Sequence, residues 1–198
     1  NVTLASALLA LLMAVLVFMF VRDDPSEKGL KSYLDKESSG QKEEKILKSL
    51  GRVFRFSNTW FLTIAPGGIV GTVLTFSGLW GVPFLTEVYH LENATAATLC
   101  SLVMLAWALS GPIYSLVSER IQLRRMPYLI GTMISLISWS LVFLIPGWSL
   151  EVLSLLLFLA GFFSGGMILG FAQGKETLPL NLSGTVSGVI NMGAVSYT

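Results

Sequence analysis

The sequence predicts an all-α membrane protein, a polytopic bundle of helices threaded through a bilayer, and three observations carry that prediction. Of its 198 residues 53% are apolar and only 13% charged, whereas a soluble domain carries roughly 25% charged residues. The mean hydropathy of +0.71 agrees: a chain this apolar lacks the polar side chains to cover a surface in water. Five stretches free of charge reach the length of about 20 residues that a helix needs to cross a hydrocarbon core of roughly 30 Å. Finally, all 13 Lys and Arg lie in connectors that alternating threading puts on one side.

The first stretch, Val2–Val21, has no starting Met and no basic leader, and it exceeds the roughly 7–15 apolar residues of a signal core, so it reads as a span. Arg22–Gln41 is polar and rich in Ser, Asp, Glu and Lys, the composition of a flexible linker. Lys42–Phe56 puts Ile46, Leu47, Leu50, Val53 and Phe54 on one helical face, with Lys45, Lys48, Arg52 and Arg55 interleaved. That pattern predicts an amphipathic helix on the inner leaflet, as a hinge or lipid sensor or, more plainly, as a structural connector.

The second span, Ser57–Thr86, is longer than one crossing needs and is punctuated by Pro66, Gly67, Gly68, Gly71, Gly78, Gly81 and Pro83, with Phe76, Trp80 and Phe84 between them. Proline removes a helical hydrogen bond and glycine loosens the turn. A kink near Pro66 and an unwound end over Gly78–Pro83 are predicted. Irregular backbone at membrane depth is tolerated only where it is buried or lines a cavity, although a kinked packing helix is the plainer alternative. The remaining spans are expected at 93–118, 128–145 and 151–174, with a sixth from 183 that still runs at Thr198. Pro146-Gly147-Trp148 marks a turn with an interfacial aromatic. Both ends of the chain fall inside helices, which predicts an internal piece of a longer protein. Its domains would be a span over 1–21, a linker with an amphipathic helix over 22–56, and a transmembrane bundle over 57–198.

The connectors 22–56, 119–125 and 175–183 hold every Lys and Arg, while the opposite connectors carry only Glu87, His90, Glu92 and Glu151. The positive-inside rule therefore puts the basic set in the cytoplasm. No charged residue falls at mid-depth in any span, so ion coupling, if present, lies at span ends or outside this chain.

Enzyme chemistry finds no support. The chain has no phosphate loop, no G-x-S-x-G elbow and no Cys/His cluster, and a single histidine excludes a multi-histidine metal site. No catalytic residue, metal or cofactor is expected, and the basic residues form no nucleic-acid patch. His90 at the rim could sense pH or simply be an interfacial polar group. Cys100, in an apolar run, has no partner for an internal disulfide and reads as a small buried hydrophobe. Gly67 and Gly71, Gly161 and Gly165, and Gly184 and Gly188 are each four apart, and Gly166, Gly170 and Gly174 form a longer row. Such spacing lets helix backbones approach closely, for static packing or for rocking.

The order of features resembles the major facilitator superfamily: a span, a long basic connector with an amphipathic helix, then closely spaced spans. On that resemblance the chain runs from about the sixth to the eleventh transmembrane helix and forms the C-terminal half of a twelve-helix fold, truncated at both ends. The segment SLVSERIQLRR resembles the family loop G-x-x-x-D-R-x-G-R-K, with Glu119 at the acid position, Arg120 at the first base and Arg124 at the last, while Ser115, Gln122 and Leu123 depart from it. GLWGVPFL and KETLPLNLSGTVSGVINMG are also similar to bacterial members. The resemblance implies secondary transport of a small solute by alternating access, as a symporter or antiporter in a bacterial inner (plasma) membrane. Its N-terminal half and the lipid bilayer would be partners. Glu119, Arg120 and Arg124 would latch one conformation, with Glu119 able to pair with Arg120 or Arg124 or to face a helix N-terminus. Cavity-lining candidates are Thr72, Thr75, Phe76, Trp80, Trp107, Phe163, Met167 and Asn191, the last because an amide at lipid depth must find a partner or a ligand. A membrane-embedded enzyme, or a receptor that keeps the fold without transporting, are the alternatives.

Overall fold

The computed structural model describes residues 2–21, 29 and 46–196, and its described elements are all helical. The chain divides into two units, Asn1–Glu44 and Lys45–Thr198. Apart from Gly29, the expected flexible linker 22–41 lies outside the described residues, as do Lys42 and Lys45. In the first unit, α1 (Val2–Phe20) is a 19-residue helix of continuous apolar sequence. At 1.5 Å per residue it is roughly 28 Å long, enough to cross the hydrocarbon core.

The second unit opens with α2 (Ile46–Phe54), followed by α3 (Ser57–Thr75), a π-helical segment (Phe76–Trp80) and α4 (Gly81–Tyr89). Then come α5 (Asn93–Ile121), α6 (Arg125–Leu144), α7 (Leu150–Ser164), a 3-10 turn (Gly165–Met167), α8 (Ile168–Thr177), a second 3-10 turn (Leu180–Leu182) and α9 (Ser183–Val195). Five helical stretches among the described residues are long and apolar enough to cross a membrane. Several outrun the expected spans: the second reaches Tyr89, the third Ile121 and the fifth Thr177. Hydropathy reports the thickness of the apolar slab, whereas a helix continues into the polar interface until something stops it. His90 and Gln122 do so in the left-handed conformation, each at φ 54°. At His90 this turns the chain so that the Leu91 N–H reaches back to the Leu85 carbonyl. The Pro146–Trp148 turn forms as expected, with Gly147 at φ 100° and the Trp148 indole donating to the Leu141 carbonyl.

One expectation for the second span is corrected: Gly78–Pro83 is not unwound, and Pro66 lies within a continuous helix. The irregularity is instead the wide π turn at Phe76–Trp80, in which the Gly81 N–H returns to the Phe76 carbonyl. Pro83 explains its position. In a regular helix the Pro83 ring would collide with the Leu79 carbonyl, and one extra residue in the turn before it moves that carbonyl aside.

Two of the three main packing pairs join helices that are not neighbours in sequence. Helix α3 packs chiefly on α9, while α5 and α6 each pack on α7 and barely touch each other. Two apolar clusters form, one towards each end. The first gathers Val73, Phe76, Leu85, Val103, Trp139 and Leu157; the second gathers Val53, Leu62, Leu182, Val186 and Ile190. Between α5, α6 and α7 the contacts are made by small residues. A Cβ at Gly161 would meet the Val103 carbonyl, one at Gly165 the Ser110 side chain, and one at Gly131 the Tyr114 hydroxyl. Ser135 and Ser164 hydrogen-bond at 2.9 Å between α6 and α7. Gly184 and Gly188 face open space, and it is Gly193 that lets α9 close on Thr63 of α3.

The amphipathic helix covers the whole of its hydrophobic pattern. Val53 is buried in the second cluster, with Leu50 and Phe54 packed against it. Ile46 and Leu47, on the same face, are 78% and 83% exposed. Hydrogen bonds from Thr59 to the Val53 carbonyl and from the Trp60 indole to the Phe54 carbonyl tie α2 to α3, the behaviour of a connector.

Gly161→Val should destabilise the bundle by about 1–3 kcal/mol, since the group opposite is backbone and cannot move aside. Gly184→Val, into open space, should leave the melting temperature unchanged. Thermal unfolding in detergent, followed by circular dichroism, checks both; equal shifts would remove backbone contact as the limit on α5–α7 packing.

Candidate functional site

The second unit has a basic end and an acidic end. Arg120, Arg124, Arg125 and Lys175 sit at or next to the ends of α5, α6 and α8 on the side where α2 packs, and Glu87, Glu92 and Glu151 sit at the other. Candidate residues fall into three places between these ends.

Thr72, Thr75, Phe76 and Trp80 come together in one groove of about 480 Å³, with Pro83, Phe84 and Phe143. The groove is apolar. Phe76 is buried edge-on against Trp139 at 4.9 Å and Phe143 at 5.8 Å. Phe143 in turn packs on Phe84 at 5.1 Å. Thr72 spends its hydroxyl on the Gly68 carbonyl of its own helix, so it presents a methyl group to the groove. The packing of Phe76 on α6 therefore sets which way this face of the second span points.

The other flank of the same π turn forms a second, more polar cleft of about 510 Å³ with α5, lined by Ser77, Val82, Ala97, Cys100, Ser101 and Met104. The Ser77 hydroxyl is buried without a hydrogen-bond partner. Ser101 donates to the Ala97 carbonyl at 2.9 Å and keeps its lone pairs. Cys100 is buried, as its sequence context implied. Neither serine was among the expected lining residues, although the argument made for Asn191, that a polar group at lipid depth needs a partner, applies to Ser77 as well.

The four remaining candidates lie apart from both clefts. Trp107 packs against the first apolar cluster, and Phe163 lines a crevice of about 320 Å³ between α5, α6 and α7. Met167 is half-buried in the 3-10 turn, and Asn191 is exposed on α9. Among the helix-packing candidates, Pro66, Gly67, Gly71, Gly166 and Gly170 are buried, Gly166 against the Tyr114 ring, whereas Gly78 faces open space and Pro83 lines the apolar groove.

The basic end holds a charge cluster whose members differ from those expected. Arg124 does not pair with Glu119. Its Nη2 and Nε converge on one carboxylate oxygen of Glu176, at 3.0 and 3.1 Å, and its Nη1 donates to the Ser118 hydroxyl at 3.1 Å. Ser118 passes its own proton to the Leu123 carbonyl. The reason is geometric: Glu119 points off the last turn of α5, whereas α8 delivers Glu176 to the loop that Gln122 reverses. Glu119 and Arg120 are exposed and form no ion pair among the described residues. Arg124 thus ties the α5–α6 loop to the end of α8, across 52 residues of sequence.

No group of three or more His, Cys, Asp or Glu able to hold a metal occurs among the described residues. What this assembly offers is shape, hydroxyl groups and aromatic faces. The family model of the Major Facilitator Superfamily matches residues 1–196. No curated protein and no solved structure matches the chain.

With 27% of the Arg124 side chain and 52% of the Glu176 side chain exposed, the pair should contribute no more than about 1 kcal/mol. A thermal-unfolding cycle of Arg124→Gln, Glu176→Gln and the double variant should return a coupling of that size, and no coupling for Arg124→Gln with Glu119→Gln.

Proposed function

Because the chain belongs to the major facilitator superfamily, a family of membrane transporters, we propose that it serves secondary transport of a small solute by alternating access, with the Ser77–Ser101 cleft as part of the solute path. The observation that carries this reading is the coincidence of two features at one place. The only π turn among the described residues contributes to the wall of the cleft through Ser77, and Ser77 is one of the buried polar side chains, with Tyr128 and Trp139, that lack a hydrogen-bond partner. A π turn is an α-helix carrying one surplus residue, and such turns are rare and recur at functional sites. An unpaired hydroxyl at this depth costs free energy that a passing solute's polar group would recover.

A facing bundle from the rest of a twelve-helix fold would close the cleft on its open side. The cleft walls carry no charge, so the solute's contacts here are hydrogen bonds and apolar surface; any ionised group on the solute is matched elsewhere. The Arg124–Glu176 tie then acts as the latch of one state. At about 1 kcal/mol it biases a conformational equilibrium roughly fivefold without freezing it. The basic end faces the cytoplasm by the positive-inside rule, with the inner membrane of a bacterium as the proposed setting.

The test needs no knowledge of the solute. In the full-length protein with Cys100→Ser, a cysteine placed by Ser101→Cys should react with a membrane-impermeant maleimide in both right-side-out and inverted vesicles. Deleting Gly78 removes the surplus residue and should confine labelling to one orientation. Labelling from one side alone in the undeleted protein would overturn alternating access through this cleft.

A further inference from the structure

The crevice between α5, α6 and α7 is not part of the cleft, and its surroundings identify a different ligand. It exists because α5 and α6, though adjacent in sequence, both lean on α7 and leave a gap between themselves. Ile113, Val117 and Ile121 form one wall, Met126 and Ile130 the other, and Phe163 lies between. The gap therefore sits in the half of the bundle nearest the basic end, opens between neighbouring spans, and offers almost purely apolar walls.

Its mouth is cationic. Ile113, Val117 and Arg120 fall at i, i+4 and i+7, so Arg120 extends the stripe of the α5 wall by one turn beyond the apolar side chains. Arg125 opens α6 immediately before Met126 of the other wall. Both arginines are exposed and neither has an ion-pair partner among the described residues. The acids nearby do not compensate them. Glu176 is engaged by Arg124, and Glu119, two residues beyond Val117, points to the other side of α5. An apolar slot at membrane depth, ending in two unpaired guanidinium groups at the interface, matches a molecule with a hydrocarbon tail and an anionic head.

We propose that this crevice is a binding site for an anionic phospholipid of the leaflet at the basic end, with one acyl chain between α5 and α6 and the phosphate held by Arg120 and Arg125. The lipid fills the gap that the α7-centred packing leaves. It also sits one turn from the Arg124–Glu176 tie, on the same α5–α6 loop, and so holds that loop in place. The site does not depend on the solute path and stands or falls separately from it.

Native mass spectrometry of the purified full-length protein, offered equimolar dioleoyl phosphatidylglycerol and dioleoyl phosphatidylcholine, tests the site. The unaltered protein should retain phosphatidylglycerol about tenfold over phosphatidylcholine. Arg120→Gln with Arg125→Gln should abolish the preference, whereas Arg55→Gln with Lys175→Gln, an equal loss of charge elsewhere on the basic end, should keep it. Val117→Trp fills the slot from a half-exposed position and should remove the retained lipid altogether; Ile113→Phe serves the same purpose should the first variant melt early. No preference in the unaltered protein, an equal effect of the two charge pairs, or full retention in a folded slot-filled variant would each overturn the site.

Discussion

Helix α7 can lie between α5 and α6 only because small residues face both of them. In the middle of a bilayer there is no hydrophobic drive to bring helices together, since lipid tails are as apolar as leucine, and association depends on how closely backbones approach. Gly161 against the Val103 carbonyl, Gly165 against Ser110 and Gly131 against Tyr114 bring three helices within backbone distance, and the Ser135–Ser164 hydrogen bond seals the same layer. The first apolar cluster continues from this layer through Val103 and Ala160, and the second lies among α2, α3 and α9. The gap between α5 and α6 is the other side of that arrangement: both pack on α7, and Tyr114 reaches across to Gly131.

The π turn belongs to the same economy of contact. Phe76 wedges into the aromatic group of Trp139, Phe143 and Phe84, and this fixes the start of the turn on α6. Seven residues later Pro83 disfavours a regular helical register. The surplus residue is confined between these two constraints, and Gly78 and Gly81 lower its cost, Gly81 also passing close to the Cys100 sulfur. The turn leaves Thr72 and Trp80 on the apolar flank with Phe76, and Ser77 on the opposite flank against α5.

How much of this was legible in the sequence depends on the range of the interaction. The spans, the Pro146–Trp148 turn and the segregation of charge follow from hydropathy and local chemistry, and each appears at or near its expected position. The irregularity in the second span was legible from its glycines and prolines, but its form was not: whether Pro83 unwinds a helix or inserts a residue is decided by what Phe76 touches on α6. The same long-range contact decides which flank is polar, so Ser77 and Ser101 gave no sign in the sequence beyond being hydroxyls at depth. Glu176 was hidden for a similar reason. The loop pattern names the arginine but not a carboxylate 52 residues away on another helix. In α2 the hydrophobic pattern was real, yet Ile46 and Leu47 are exposed while Val53 is buried.

The placement of charge bears on how such a bundle can move at all. Among the described residues the Asp, Glu, Lys, Arg and His side chains of the second unit lie towards its ends, and the middle is held by van der Waals contact and by hydroxyls bonded mostly to their own helix or to one another. A charge pair buried at mid-depth would cost several kcal/mol to separate, and its rupture would dominate any rearrangement. A half-exposed pair such as Arg124–Glu176 costs about 1 kcal/mol or less, because water replaces each partner as it leaves. Glycine contacts resist separation weakly but resist rotation strongly, since a turn of either helix brings a side chain against backbone. Motions that slide or rock whole helices past one another are thus inexpensive, and motions that twist them are not. That asymmetry is set by where the small residues and the charges fall.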